Sequence, residues 1–574
     1  MKTTCTALLT GLALLGAAAA APKNPNVLVA LASYDWTGFD PAHCNDVACE
    51  EVLQNTLETL YFPKGASTTA YSPLLAADQP TVSADGKTYT VKLNPQAKFA
   101  DGSPVTANDV KYSLTRLLAM SASDGPVTKL LYPLVGTNTP LTKDSAAAYA
   151  TLDKAIEARD ARTVVFHLAQ PFGPFLAVLA SPAAVIYSQA AAVKAGAWDG
   201  KDGSWAKFVN QPLADSPYLK APPLGSGPFN FGRYDSGNQI VLQRSDGYWR
   251  PLAKLQTVVI KNTPEAATAV QLLKTGDADL IRTNGYPRNV AAQFAALPGV
   301  TTNLKVNSLA LQGFFMNFGV KNAAANGYLG SGTLSEKSVP ADFFADVNVR
   351  KGFASSFDYN TFIRSQLLGA GIQTNGALVK GLLGYTALHF PYSRPSAIAS
   401  FKKAAGGKLW NTGFTVPIFW NSGNETRHQA ALLFKRSIES LNPRFHVDVR
   451  EIQFSELIAK AGSGQLTAYF LGWSTDYADP YNVVFPWTHS AGTFPKQTGY
   501  KNAKVDDVIT QAVATTDPKR RGDLYQQAAK LAYADVAELP LYQDVGYTAQ
   551  RDWVKGRILN PLFGGNYYYT ISKE

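Results

Sequence analysis

The residues in this chain best placed to do chemistry are two aspartates three positions apart among aromatic rings. Asp476 and Asp479 lie in Gly472-Trp-Ser-Thr-Asp-Tyr-Ala-Asp-Pro480, beside Trp473, Tyr477 and Tyr481. Carboxylates next to ring faces suit a cationic or amine-bearing guest, held by charge and by the ring quadrupole. The same stretch also reads as a solvated loop closed by Asp479-Pro480. Paired carboxylates equip glycosidases as well, yet a spacing of three in a loop fixes no separation in space. The sequence has no Gly-x-Ser-x-Gly elbow and no His-Glu-x-x-His pair, and it holds six histidines in all. Cys44 and Cys49 lack a matching catalytic context. Their spacing allows a small local disulfide in an oxidising compartment, and a metal site needs more ligands than this pair supplies. No cofactor and no metal is expected.

The elements that must position these groups alternate between strand and helix. Leu466-Thr-Ala-Tyr-Phe-Leu471 is a short apolar run stopping at glycine, which reads as a buried strand delivering its last residues to a sheet edge. Val27 to Leu31 is another apolar strand, Glu50 to Leu60 carries one apolar helical face, and Thr88 to Leu93 alternates with period two. Asp101-Gly102 marks a turn, and Thr106 with Asp109 forms a capping box in which Asp replaces the usual Glu or Gln. Gly276-Asp-Ala-Asp reads as a helix end feeding a strand at Leu280-Ile281.

A chain of 574 residues with 46% hydrophobic content can bury a large core and should divide into at least two domains. Its formal charge of +10 comes from Lys and Arg scattered among the acids, with no run of five like charges, so neither nucleic acid nor a membrane surface is the expected partner. Ala7 to Ala20 is apolar, follows Lys2 and ends in small residues before Pro22, the pattern of a secretory signal peptide cleaved near Ala20 or Ala21. Cys5 precedes that apolar core, so a lipid-modified mature N-terminus is not expected. The reading is an exported protein, periplasmic or secreted.

The segment Phe99-Ala-Asp-Gly-Ser-Pro-Val-Thr-Ala-Asn-Asp-Val-Lys-Tyr-Ser-Leu-Thr-Arg116 resembles the signature of the extracellular solute-binding proteins of family 5, the dipeptide- and oligopeptide-binding receptors of ABC importers. Further stretches follow in the family's order: Thr163 to Leu168 with Pro171 to Phe175, Gly225 to Phe229, Asp246 to Trp249, Leu272 to Leu280, Asp346 to Arg350 with Phe357-Asp358, and Glu538 to Tyr542. The resemblance implies an α/β protein of the two-lobed periplasmic-binding-protein fold (type II, large three-domain subclass), closing like a jaw on its ligand. It places a signal peptide at 1–21, the first lobe at 22–65, 222–301 and 535–574, an extra domain inserted in that lobe at 66–221, and the second lobe at 302–534. Phe314 to Phe318 is expected as the first strand of the second lobe, and hinges are expected near Gly225 to Pro228 and Thr301 to Asn307.

The resemblance further implies that Asp476 holds a peptide's amino terminus while the backbone of Gly472 to Ser474, with Trp473, pairs with an extended ligand. The loop after Asp40-Pro41 would run beside the ligand, which brings in Asn45 and Asp46. Trp36, Trp420, Trp473 and Tyr477 offer stacking faces, and Asn421 lies in the segment that matches a ligand-binding stretch of the family. Family receptors commonly place an arginine three residues before the tryptophan or within the segment matching Phe419 to Asn424. Here those places hold Phe470 and Phe-Trp-Asn-Ser-Gly-Asn, and Arg427 is read as a surface residue. The implied function is a monomeric receptor that captures peptides and hands them to a membrane permease. An oligosaccharide, metal-complex or opine receptor is the alternative, and a secreted hydrolase the remote one.

Overall fold

The computed structural model describes residues 22–120, 128–136, 142, 146–283, 285–323 and 327–574. The signal-peptide reading of 1–21 falls outside them. Among the described residues, eleven strands form one twisted sheet that runs through both lobes. In chain order they are β1 (Val27–Ala32), β2 (Phe229–Asp235), β3 (Gln239–Arg244), β4 (Thr257–Asn262), β5 (Leu280–Ile281), β6 (Val300–Met316), β7 (Gly371–Ile372), β8 (Phe414–Asn421), β9 (Phe445–Ile452), β10 (Ala468–Trp473) and β11 (Leu539–Arg551). Their spatial order is β2-β3-β4-β1-β5-β11-β6-β10-β8-β9, with β7 on β11.

The first lobe is organised on β1, which pairs in parallel with β4 and β5. The second is organised on β8, parallel to β9 and β10. Two long antiparallel strands, β6 and β11, join them. At about 3.3 Å per residue, the 17 residues of β6 span roughly 55 Å, enough to serve both lobes. Of the stretch Phe314 to Phe318, expected as the first strand of the second lobe, Phe314 to Met316 form the buried end of β6. Its first half is polar and mostly exposed, so only the apolar second half carries a readable strand pattern. Pairing between β6 and β11 slips between Asn303 and Val306, and again between Asn307 and Leu311. The ladder is therefore interrupted where the two lobes meet.

Six helices matter for the site and its surroundings: α1 (Val47–Thr56), α2 (Ala107–Met120), α3 (Glu425–Glu439), α4 (Tyr481–Thr488), α5 (Ala503–Ala514) and α6 (Pro518–Asp535). A separate four-stranded sheet between Thr81 and His167 is covered by α2. At the start of α2, Asp109 accepts hydrogen bonds from the Thr106 amide and hydroxyl at 2.9 and 2.6 Å, the expected capping box. Further along, Arg116 forms a fully buried two-pronged ion pair with Asp40 at 2.7 and 2.6 Å, anchoring this body to the first lobe. Gly276 closes the helix before β5 in the left-handed conformation that glycine adopts readily.

Gly225 to Pro228 is not a crossing between lobes. The Gly227 amide donates to Thr56 O at 3.0 Å, and a Cβ on Gly227 would lie 2.5 Å from the Thr56 carbonyl carbon. This segment packs on the end of α1 and leads into β2; the second crossing is β11. No described helix is long and apolar enough to cross a membrane.

Candidate functional site

In open parallel sheets, ligands bind outside the carboxyl ends of the strands. Here the carboxyl ends of β5 in one lobe and of β10 in the other open onto a single cavity of about 510 Å³. That volume falls within the range of sites for small ligands. Its walls are the turn into α1, Arg282 and Thr283 after β5, the bulged middle of β6 at 306–310, residues 474–476 after β10, and the C-terminal segment 558–566. The charged side chains on this wall are Asp46, Glu50 and Asp476 against Arg282. An excess of carboxylate in a partly closed cleft favours a guest that carries an amine.

Asp476 is partly buried on the second lobe's side of the wall. Asn482, on the first turn of α4, orients it: the Asp476 amide donates to Asn482 Oδ1 at 2.8 Å, and Asn482 Nδ2 donates to Asp476 Oδ2 at 3.2 Å. The same Oδ1 accepts from Trp473 Nε1 at 3.4 Å. Asn482 was missed from sequence because nothing in its neighbours marks it as a partner for an acid six residues earlier. Asp479 has a different fate. It is buried, bonds the Tyr481 amide at 3.0 Å and pairs with Arg521 Nη2 at 2.9 Å. Burial pushes its carboxyl above the usual range despite that arginine. The two aspartates therefore share no site, and the geometry holds no glycosidase pair.

The structure divides the residues expected around the ligand. Asn45, Ser474 and Asp476 line the cavity. Gly472 and Trp473 end β10 and pair with Gln312 and Leu311 of β6, so one edge of this stretch is already occupied. Trp36, Trp420 and Tyr477 are buried and are absent from the cavity wall. Trp36 packs edge-on to Tyr34 and Tyr234 and donates to Ala48 O at 3.1 Å. Trp420 stacks on His428 with ring centroids 4.3 Å apart. Tyr477 turns into the core shared with α5 and α6, because a ring that size finds more apolar contact there than at a polar cleft. Asn421 is also buried and accepts from Arg427 Nη1 at 2.6 Å. Arg427 is thus no surface residue; its guanidinium is drawn inward by Asn421 and by Gln312 Oε1 at 3.4 Å. Gln312 in turn donates to Asp544 at 3.2 Å, whose carboxyl burial raises to about 6.

Cys44 and Cys49, which flank the wall residues Asn45 to Val47 and are themselves buried, are joined in a disulfide, with Cα atoms 5.7 Å apart. The ring they close contains Asp46, whose carboxylate caps α1 by accepting from the Ala48 and Cys49 amides, both at 2.9 Å. Cap and disulfide together set the course of the loop that carries Asn45.

A family model described as "Bacterial extracellular solute-binding proteins, family 5 Middle" matches residues 70–495, most of the described chain. The chain belongs to that family. Its relatives include the probable D,D-dipeptide-binding periplasmic protein of Escherichia coli (strain K12), 28% identical over 83% of this chain and 80% of that protein. Heme-binding protein A of Haemophilus influenzae is 26% identical over 94% of this chain and 90% of its own length. Among solved structures, an ABC transporter-associated periplasmic binding protein from Helicobacter pylori, in complex with peptide STSA, has the same fold. Its TM-score is 0.67 at 23% identity, over 96% of this chain and 98% of that one. The family and these relatives are binding proteins rather than enzymes.

Proposed function

We propose that the protein is an exported receptor that captures short peptides between its lobes and passes them to the permease of an ABC importer. In this reading the signal segment is cleaved and no lipid anchor is attached. One observation carries the peptide assignment: Asp476, held in place by Asn482, stands on the wall of a 510 Å³ cavity at the carboxyl end of β10. An acid so placed accepts the α-amino group of a peptide, while Ser474 and Asn45 contribute polar contacts. The relative that binds haem does not redirect the reading, because this wall presents carboxylates and amides rather than the imidazole or thiolate that haem iron takes as axial ligands.

The test is calorimetric titration with alanine di-, tri- and tetrapeptides and their N-acetylated forms. A charge-assisted hydrogen bond contributes about 1.5 to 3 kcal/mol, so Asp476→Asn should weaken the free amine at least about tenfold. Melting temperature should hardly change, because the side chain faces the cleft. Equal binding of free and acetylated peptides by the wild type would remove Asp476 as the anchor.

A further inference from the structure

The wall carries one cation among the described residues, and its hydrogen-bonding capacity is largely unspent. Arg282 follows β5 directly, on the first lobe's side of the cavity. Its Nη2 makes one long contact, 3.5 Å to Gly564 O, and its guanidinium carbon lies 5.2 Å from the centre of the Tyr34 ring. No carboxylate among the described residues lies within ion-pair distance of it. Glu51, which also holds the Tyr34 hydroxyl, is already filled: Tyr34 and Tyr568 hydroxyls and both the amide and side chain of Asn566 donate to it. Other buried arginines differ. Arg116 holds Asp40 with both prongs, Arg521 holds Asp479, and Arg557 donates to Asn566, Gln550 and Ile281. A planar fork of donors on a cavity wall, with no anionic partner among the described residues, matches the geometry of a carboxylate.

The sheet also places Arg282 opposite Asp476. Leu280 of β5 is level with Gln550 of β11 and through it with Thr301 of β6, while Trp473 of β10 is level with Leu311. Three successive antiparallel pairings make β5 and β10 run in opposite directions, so their carboxyl ends approach each other over the bulged span of β6 that floors the cavity.

We infer that Arg282 is the carboxylate anchor of the site, so that a zwitterionic ligand is gripped at its amine by the second lobe and at its carboxylate by the first. This rests on the receptor reading above and adds the ligand's second charge. It also supplies the counter-ion that the sequence lacks at the places where the resembling receptors carry arginine. A ligand with both charges ties one lobe to the other, whereas a ligand with one charge is held by one lobe only.

The test uses the intact protein with alanine di-, tri- and tetrapeptides, each with a free or an amidated carboxyl terminus. Wild type should bind the best free acid at least about tenfold more tightly than its amide. Arg282→Gln should bind acid and amide alike, and Arg282→Lys, which keeps the charge but not the fork, should fall between. A merely structural arginine would weaken both forms equally. Wild type indifferent to amidation, or Arg282→Gln still preferring the acid, would overturn the inference while leaving Asp476 and the receptor reading intact. Failure of wild type to bind any of these peptides would overturn both. The wild-type comparison stands on its own if the variants prove unstable.

Discussion

At the scale of single residues, burial decides what each charge in this molecule does. Asp476 and Asp479 differ by three positions, yet one faces a cavity and the other is sealed against Arg521. Asp544 is a third case. It is half-buried, a neutral glutamine donates to it at 3.2 Å, and desolvation raises its carboxyl to about 6 from an ordinary 3.8, although Arg427 lies near enough to pull the other way. Between those two values the folded state holds a proton that the unfolded chain has released. The stability contributed by this group therefore falls as pH rises from about 4 to about 6, and the whole penalty stands above that. Asp544→Asn removes the charge while leaving an amide oxygen to accept from Gln312. The variant should be more stable than wild type at pH 8, by up to about 3 kcal/mol, and the gain should shrink to nothing near pH 4. Denaturant melts across that range measure it; a gain independent of pH would show that Asp544 is not the titrating group.

At the scale of elements, the readable features are those written into a few adjacent residues. The Thr106–Asp109 box, the Gly276 stop and the Cys44–Cys49 ring each close over short distances, so type and spacing suffice to place them. A local motif likewise singled out Asp476, which the fold places on the cavity wall. Arg282 and the inward turn of Arg427 were not legible, because each takes its meaning from a segment far along the chain, and Asn482 was not, because its tie to Asp476 depends on how the loop folds back on the helix that follows. β6 was half legible, since its polar half satisfies the crossing rather than a core. The loop into α1 joins a local device to the ligand site, which makes it testable. Replacing both Cys44 and Cys49 by Ser should lower stability by roughly 2 kcal/mol, as expected for opening a very short covalent loop. The Asp46 cap remains, so α1 should keep its helicity. Peptide affinity should fall as well, because Asn45 and Asp46 lose their fixed course. Circular dichroism together with calorimetry separates the two effects, and unaltered affinity would mean that the cap alone holds the loop.

At the scale of the molecule, closing the cleft requires one lobe to turn against the other, and the strands that connect them are interrupted at 303–311 of β6, where such a turn is least costly. A second contact spans the two sides away from the cavity. The body carrying the four-stranded sheet meets the second lobe at Phe172 and Gly173: the Phe172 ring lies 5.5 Å from that of Tyr481, and the Gly173 amide donates to Val513 O at 2.8 Å. Val513, Tyr525 and neighbouring residues of α5 and α6 share one apolar core with this body. Gly173 permits the approach, since a Cβ there would lie 2.9 Å from Thr515 O and would strike the Arg521 guanidinium that holds Asp479. Gly173→Ala should therefore drive a wedge between the two bodies without touching the ligand wall. Overpacking of this kind costs typically 1 to 3 kcal/mol, charged mainly to the arrangement in which the bodies meet. If that arrangement is the one that binds, the competent population shrinks and apparent peptide affinity falls by about tenfold. Small-angle scattering should then show a larger ligand-free particle than wild type, compacting to the wild-type size at saturating peptide. A variant with wild-type dimensions and wild-type affinity would place this contact outside the closing motion.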